Sequence, residues 1–388
     1  MARGHIRRKP ERGDDAWEVT ISAGTDPATG RRRRISKLVR GTRDDAERAL
    51  TAELAHLDQQ AVIDTQGTVA QLLDQWWQMK ATSWSPKTAH EYRKLIDGRL
   101  IPDLGAVRLC DLTVAQLDHY YGQLARAGRK DGEGGLAPNS VRNVHSVLRK
   151  ALRQGVKWGW VAHAATDHAT LPTKEREQVD APTPDDLRRV LELMDGTAET
   201  PGRWPLFGVF IRLAATTGMR RGEMCGLRWG DVDLAKREVR VRRSIAQIPG
   251  ECIVKGTKTS KQRRFRVDPL MTAVLQLHRD EMEERARNAG VELGRDAYVF
   301  SSDFDGASFW KPDTVTEKWA RLRKAAGVES RLHDWRHFCA TELLAAGVDV
   351  VTVAGRLGHS QTSTTLDIYA HVIAARDDDA ASVMGQFV

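Results

Sequence analysis

Hydrophobic and polar residues near the amino end of this chain alternate with a period of two. Residues 16–22 are apolar and polar in turn, and residues 34–39 form a second candidate strand beyond a turn region that contains Gly and Pro. A helix is predicted to follow, from about 42 to 60. Residues 1–60 therefore predict a small sheet with one helix. A disordered basic arm is the alternative, because blocks of like charge are often unstructured.

Between residues 65 and 168 the apolar positions recur every three or four residues instead. The run that begins with Val141 and Val144 has this period, which is typical of the buried face of a helix. Pro86 and Pro138 mark helix starts, because proline is favoured in the first turn of a helix. The pattern predicts a helical domain.

A polar, proline-bearing stretch between about 170 and 184 is predicted to be a linker. The remainder is mostly helical, apart from two short strands at 238–241 and 263–267 that are predicted to pair as a hairpin. The predicted fold class is α+β and mainly α. The three predicted domains are residues 1–60, 65–168 and 180–388.

Charge is unevenly distributed along the 388 residues. The formal net charge is +8 and the pI is near 9.4, which favours a polyanionic partner. Residues 1–43 carry twelve Lys and Arg against five Asp and Glu, whereas residues 171–388 carry 33 against 32. The amino end is therefore predicted to be a separate electrostatic unit.

Cysteine content and hydropathy indicate the cellular compartment. The four cysteines are too scattered for a metal knuckle and too few to cross-link a chain of this length, so they are interpreted as thiols in a reducing cytoplasm. No apolar run approaches the ~18 residues that a membrane span needs. We expect a soluble cytoplasmic protein that has no membrane partner.

Candidate chemistry lies in the carboxyl-terminal half. His333 and Arg336 are three residues apart at a predicted helix start, so they lie on one face and can share one phosphate. Arg220 precedes them, and His359 and Tyr369 follow. Arginine suits phosphate because its planar fork donates two parallel hydrogen bonds. Together these residue types can cut a phosphodiester.

Attack of a hydroxyl on a phosphodiester makes demands that these residues meet. Charge builds on two non-bridging oxygens, so permanently protonated donors must face them. Tyrosine ionises near pH ~10, so neighbouring cations and a histidine must help to remove its proton. The leaving 5′ oxygen needs a general acid, for which Lys258 is the candidate. The scheme requires no metal and no other cofactor.

The order of these motifs resembles the tyrosine recombinases, the phage-integrase family. The family's first box is similar to residues 216–229, its second box to residues 333–359, and its hairpin lysine to Lys258. The resemblance implies two phosphate clamps, a general acid, two proton-handling histidines and a nucleophile that forms a 3′-phosphotyrosine bond. In that order, the residues are Arg220 and Arg336, Lys258, His333 and His359, and Tyr369.

Two other lysines near Lys258 are alternative candidates for the general acid. The basic run offers Lys255, Lys258 and Lys261, and the Lys-Thr pair followed by Arg263-Arg264 favours Lys258. That assignment is a hypothesis based on the motif.

Three residues near the candidate site have a structural interpretation. His337 is expected to be structural, while Glu223 and Asp231 are expected to orient the first arginine or to cap a helix. His337 is not predicted to be catalytic, and neither acidic residue is predicted to touch DNA.

The resemblance also implies a role for each predicted domain. Residues 1–60 would be an arm-type, AP2-like DNA-binding domain with Arg31 to Arg34 at a turn, and residues 65–168 a helical, SAM-like core-binding domain. Residues 180–388 would be the catalytic domain. Basic residues of the middle domain would then contact phosphates, which position the protein without specifying sequence.

The implied activity is site-specific recombination that integrates or excises a phage or mobile element. Its partners would be double-stranded DNA attachment sites and three further copies of the chain, in a homotetramer that forms a Holliday junction; a host bending factor and an excisionase are compatible accessory partners. The alternatives are a Xer-like resolvase, a type IB topoisomerase-like enzyme and a non-enzymatic DNA-binding regulator. The regulator has no use for Tyr369 together with both arginines.

Overall fold

The alternating stretch near the amino end is the central strand of a three-stranded antiparallel sheet in the computed structural model of the protein. Val19 and Ile21 on this strand pack with Ala46 on the helix that follows, because alternation directs them to one face of the sheet. The elements are β1 (Arg3–Arg8), β2 (Ala16–Thr25), β3 (Arg32–Arg40) and α1 (Arg43–Gln59). The predicted sheet with one helix is confirmed, and the disordered arm is wrong for these residues.

Two features of this sheet differ from expectation. The pattern did not predict β1, because Ile6 is the one large apolar residue on that strand. The turn expected at Arg31 to Arg34 is wrong for residues 32–34, which lie in β3, where Arg34 is opposite Ser22 on β2. Arg31 lies outside the residues that the structure describes.

The structure describes residues 3–13, 15–25, 32–59, 67–173, 181–196, 205–256, 263–359, 362 and 365–366. The chain divides into two compact units, residues 1–177 and 178–388. Within the first unit, the sheet and the helices that follow have separate hydrophobic cores. The division of that unit into two domains stays a prediction.

Five α-helices pack in the rest of the first unit, counted among the residues that the structure describes. They are α2 (Val69–Lys80), α3 (Pro86–Leu95), α4 (Ile101–Leu104), α5 (Val114–Ala127) and α6 (Pro138–Trp158). The helix starts predicted at Pro86 and Pro138 are confirmed. Val141, Val144 and Leu148 are buried on α6, so the period seen in the sequence marks the face that packs inside.

The second unit combines seven α-helices and one 3-10 turn with two small sheets among its described residues. The helices are α7 (Pro184–Asp195), α8 (Pro205–Thr217), α9 (Arg221–Cys225), α10 (Pro269–Asn288), α11 (Pro312–Ala326), α12 (Asp334–Ala345) and α13 (Val350–Leu357), besides the short 3-10 turn Trp229–Asp231. The strands are β4 (Val232–Asp233), β5 (Glu238–Val241), β6 (Arg243–Ile248), β7 (Glu251–Gly256) and β8 (Arg263–Arg266). The fold is α+β and mainly helical, as predicted.

The predicted pairing of two strands in this unit is confirmed, but they do not form a simple hairpin. β5 and β8 are antiparallel, with Val239 opposite Phe265. A second antiparallel pair, β6 and β7, lies between them in the chain. The segment 257–262, which contains Lys258, follows β7 and lies outside the described residues.

Among the described residues, no helix is both long enough and apolar enough to cross a membrane. All four cysteines are free, and two of them, Cys225 and Cys339, are buried.

Candidate active site

A glycine turn connects α8 to the first box. Gly218 has φ +63°, a left-handed conformation that glycine adopts without strain. A Cβ at this position would lie 2.4 Å from Cδ2 of Leu357 on α13, so a larger residue would also push the two segments apart. The turn delivers Arg220 to the position before the first residue of α9.

Arg220 is held by Glu223 and Gly358 but remains partly exposed. Its backbone N–H donates to Oε2 of Glu223 at 2.9 Å, and its Nη1 donates to Oε1 of the same carboxylate at 3.0 Å. Its Nη2 lies 3.4 Å from the carbonyl oxygen of Gly358. The side chain is still 45% exposed, so part of the guanidinium faces solvent.

Glu223 is the shared partner of two arginines. The carboxylate is buried and also receives two hydrogen bonds from Arg263, Nη1 to Oε1 at 3.1 Å and Nη2 to Oε2 at 2.7 Å. Burial raises its pKa, but the two arginines outweigh this and hold the pKa below its ordinary value. The expectation that Glu223 orients Arg220 is confirmed. Asp231 instead binds Arg243 at 2.6 Å and caps the 3-10 turn.

The second box places Arg336 inside the protein. His333 directly precedes α12, and Arg336 lies in the first turn with 4% of its surface exposed. Its Nη1 donates to the carbonyl oxygen of Gly218 at 2.6 Å. The rings of His333 and His337 lie 5.5 Å apart and nearly perpendicular.

The end of α13 delivers the second histidine. Gly358 ends that helix with φ +72°, and the imidazole Nδ1 of His359 lies 2.7 Å from Oγ1 of Thr365. The carbonyl of this same Gly358 faces Arg220. Each arginine therefore binds a glycine carbonyl of the other box, which locks the two boxes together.

Both histidines are neutral at neutral pH. Burial lowers the pKa of His333 to about 4, with His337, Arg336 and Arg220 adding to the effect. Burial likewise lowers the pKa of His359 to about 4, and Arg336 and Arg220 are the next largest causes. Since each histidine senses both arginines, the four predicted residues Arg220, His333, Arg336 and His359 share one electrostatic environment.

The remaining two predicted residues, Lys258 and Tyr369, lie outside the described residues. Their placement in this site stays a prediction from the motifs.

Two residues of the site were missed by the sequence analysis. Arg263 helped only to identify the lysine motif, and Arg356 belongs to no motif that indicated the site. Arg356 donates to the carbonyl oxygens of Thr216 at 3.0 Å and Arg266 at 3.1 Å, and its guanidinium lies over the ring of Phe265. Carbonyl partners leave no signal in a sequence, so periodicity could not have found this arginine.

Adjacent arginines in the first box have different surroundings. Arg221 points to the start of α11, where its Nη1 donates to the carbonyl oxygen of Pro312 at 2.9 Å and also contacts Thr316. Arg220, one residue earlier, contacts Glu223 and Gly358 instead. Residue type does not separate these two arginines, and only the position within the first-box motif indicated Arg220.

Comparison with known proteins gives a consistent picture. The model of the phage integrase family matches residues 180–376, and that of the phage integrase N-terminal SAM-like domain matches residues 68–125. The chain is 28% identical to the ICEBs1 integrase of Bacillus subtilis over 251 residues, which is 64% of this chain and 66% of that protein. It is 25% identical to a XerC-like tyrosine recombinase of Caldanaerobacter subterraneus, with 96% of each chain covered.

Solved structures show the same fold at low sequence identity. The Tn1549 transposon integrase in complex with a circular intermediate DNA superposes with a TM-score of 0.68 and 17% identity, over 83% of this chain and all of that one. A lambda integrase tetramer bound to a Holliday junction gives a TM-score of 0.56 and 18% identity, over 93% of this chain and 94% of that one.

Proposed function

This chain belongs to the phage integrase family and is a site-specific tyrosine recombinase, and from that premise we propose that it joins and releases DNA through Tyr369. The observation that supports this most is the pair of arginines that bind each other's glycine carbonyls. A carbonyl holds a guanidinium in place without cancelling its charge. Two cations of fixed position are what a pentavalent phosphate requires.

The cleavage step follows from these groups. The phenolic oxygen of Tyr369 attacks phosphorus, a bond between them forms, and the bond from phosphorus to the 5′ oxygen breaks. The tyrosine proton passes to a neutral histidine, His333 or His359, and Lys258 donates a proton to the leaving oxygen. Arg220 and Arg336 bind the non-bridging oxygens. Rejoining is the reverse, with the 5′ hydroxyl of the partner strand as the attacking group.

The state of the histidines supports this assignment. Burial and nearby cations, including Arg336 and Arg220, lower the pKa of both imidazoles to about 4, so both are uncharged at neutral pH. A phosphate bound to the two arginines would offset their charge and raise the pKa of the imidazoles, which makes them better acceptors for the tyrosine proton. The phosphotyrosine bond conserves the free energy of the broken phosphodiester. The reaction therefore needs no ATP.

The amino-terminal sheet offers a second DNA contact. On the face of the sheet opposite α1, β2 presents Glu18, Thr20 and Ser22; Arg7 on β1 lies opposite Glu18, and Arg34 on β3 lies opposite Ser22. Both arginines are exposed. We infer that this face binds arm sites next to the core site, chiefly through phosphates.

The assembly is proposed to hold four protomers on two duplexes. The lambda integrase tetramer on a Holliday junction supports this state, because the two proteins share a fold. Double-stranded attachment sites in the bacterial cytoplasm would be its partners, with a host bending factor and an excisionase as accessory proteins.

A suicide substrate with a nick near the cleavage position tests the proposal, because it traps the covalent adduct. Tyr369→Phe removes one oxygen, so adduct should vanish while specific binding persists. Tyr298→Phe, which removes the same oxygen from a tyrosine of the same unit, is the matched control and should still form adduct. Adduct from the Tyr369→Phe variant would move the nucleophile elsewhere, and adduct on DNA of any sequence would favour the topoisomerase-like alternative.

A further inference from the structure

Arg263 is the most thoroughly fixed arginine near the site that the proposed reaction does not use. Its side chain is 12% exposed, and it forms two parallel hydrogen bonds to Glu223. Its guanidinium also lies over the ring of Phe265, 5.9 Å from the centroid. A side chain held in this way has one available orientation.

Arg263 touches both groups that hold Arg220. One is Glu223; the other is Gly358, whose carbonyl faces Arg220. A Cβ at residue 358 would lie 2.7 Å from Nη1 of Arg263, so the absence of a side chain there leaves room for the guanidinium. Arg263 therefore contacts the two groups that hold Arg220 in place.

The charges of this group do not cancel. Glu223 carries one negative charge, and two guanidiniums share it. The Arg263 guanidinium donates two hydrogen bonds to the carboxylate, at 2.7 and 3.1 Å, whereas the Arg220 guanidinium donates one, at 3.0 Å. Without Arg263, the buried carboxylate would have Arg220 as its counter-ion, and little net charge would remain for a phosphate.

We propose that Arg263 is a positioning residue for strand cleavage, which neutralises Glu223 so that Arg220 is held in place and keeps its positive charge for the phosphate. This inference rests on the proposed function, since it concerns the same cleavage step. Arg263 itself does not touch the DNA. Its effect on Arg220 is exerted through Glu223, and a test can isolate that contact.

A double-mutant cycle at residues 263 and 223 makes the test. Arg263→Gln should slow adduct formation on the suicide substrate by about 10- to 100-fold at saturating protein, the scale for losing a group that orients a functional side chain, and leave DNA affinity within about threefold. In the Glu223→Gln background the same substitution should change the rate by less than about threefold. There, no carboxylate remains for Arg263 to neutralise.

Arg356 supplies the matched control. It lies over the same Phe265 ring and is partly buried, but it donates its hydrogen bonds to the backbone carbonyls of Thr216 and Arg266. Arg356→Gln should slow cleavage by the same factor whether residue 223 is Glu or Gln. Arg263→Lys, which retains the charge, should recover most of the rate that Arg263→Gln loses.

Stability is measured beside the rate, because removing one partner of a buried ion pair is strongly destabilising. If Arg263→Gln does not fold, the test compares Glu223→Gln with the double variant Glu223→Gln/Arg263→Gln, since neither of these contains an unpaired carboxylate at residue 223. A loss above about tenfold on substituting Arg263 in that background overturns the inference, as does wild-type cleavage by Arg263→Gln. Wild-type protein that forms no adduct would overturn the proposed function instead, so the two failures are distinct.

Discussion

The amino-terminal sheet and the catalytic boxes are both rich in arginine, but they differ in how the charge is held. Residues 1–43 have an excess of seven positive charges, whereas residues 171–388 have an excess of one. On the sheet, Arg7 and Arg34 are exposed. In the boxes, Arg336 is buried against a carbonyl and Arg220 is tied to a carboxylate. An excess of exposed positive charge can attract DNA at any position on that surface. A charge that is fixed in place can stabilise one particular phosphate.

The two arrangements respond differently to solvent. Exposed charges are screened by salt over a Debye length of about 8 Å at physiological ionic strength. Charges fixed in a site of low dielectric are screened much less, and they need no reorganisation when the transition state forms. We therefore expect binding to depend on salt through the sheet, and the rate of cleavage to depend on geometry through the boxes.

The largest expected effect comes from removing a clamp. Arg220→Ala or Arg336→Ala should lower the rate of adduct formation by about 10² to 10³, the scale for losing one transition-state donor, with little change in DNA binding. Arg221→Ala is the neighbour control, because that side chain faces α11. Equal losses at 220 and 221, measured on the suicide substrate, would contradict the assignment of the clamp.

The next effect concerns the sheet. Replacing both Arg7 and Arg34 by Gln should weaken binding to arm-site DNA and reduce the slope of log affinity against log salt by roughly 0.9 for each lost phosphate contact. Cleavage of a core-site substrate should stay within about twofold of wild type. A titration of affinity between low and moderate salt measures the slope; an unchanged slope would remove the sheet from DNA binding.

A smaller effect is expected from pH. The folded pKa values of His333 and His359, about 4, lie below the ordinary 6.5, so the unfolded chain binds more protons between these values. Above pH 6.5 the two histidines are neutral in both states and do not lower the free energy of unfolding. As the pH falls from 6.5 toward 4, proton binding to the unfolded chain lowers the free energy of unfolding. The melting temperature should therefore decrease across that window, and less steeply in His333→Gln. A flat melting temperature from pH 6.5 to 4 would contradict the burial of neutral imidazoles.

The smallest effect should be that of a chelator. Because two arginines carry the phosphate charge in the proposed mechanism, saturating EDTA should leave the rate of adduct formation unchanged. A rate that falls with EDTA and returns with added magnesium would assign part of this charge to a metal.

Local patterns in the sequence predicted much of the fold. Alternation identified β2, and the helical period identified the buried face of α6, because both reflect contacts within a few residues. β1 was not predicted, since one large apolar residue, Ile6, is too few to show alternation. The pair β6 and β7, which lies between β5 and β8 in the chain, was not predicted because strand pairing depends on contacts beyond the local pattern.

The site was predictable in its residue types but not in its connections. Motifs indicated Arg220, Arg336 and the two histidines, and the structure brings these together. The contact from Arg336 to Gly218 spans 118 positions, and that from Arg263 to Glu223 spans 40. Contacts of this range, one of them to a backbone oxygen, follow from tertiary packing and leave no periodic signal.

The two glycine turns have a consequence for protein engineering. Gly218 and Gly358 each lend a carbonyl to an arginine of the opposite box, and each lacks the side chain that would collide with its neighbour, Leu357 or Arg263. Chimeras that take the first box from one recombinase and the second from another must therefore match at both turns. Exchange of the whole segment 178–388 preserves these contacts, and so retargeted enzymes are better assembled from intact catalytic units than from spliced boxes.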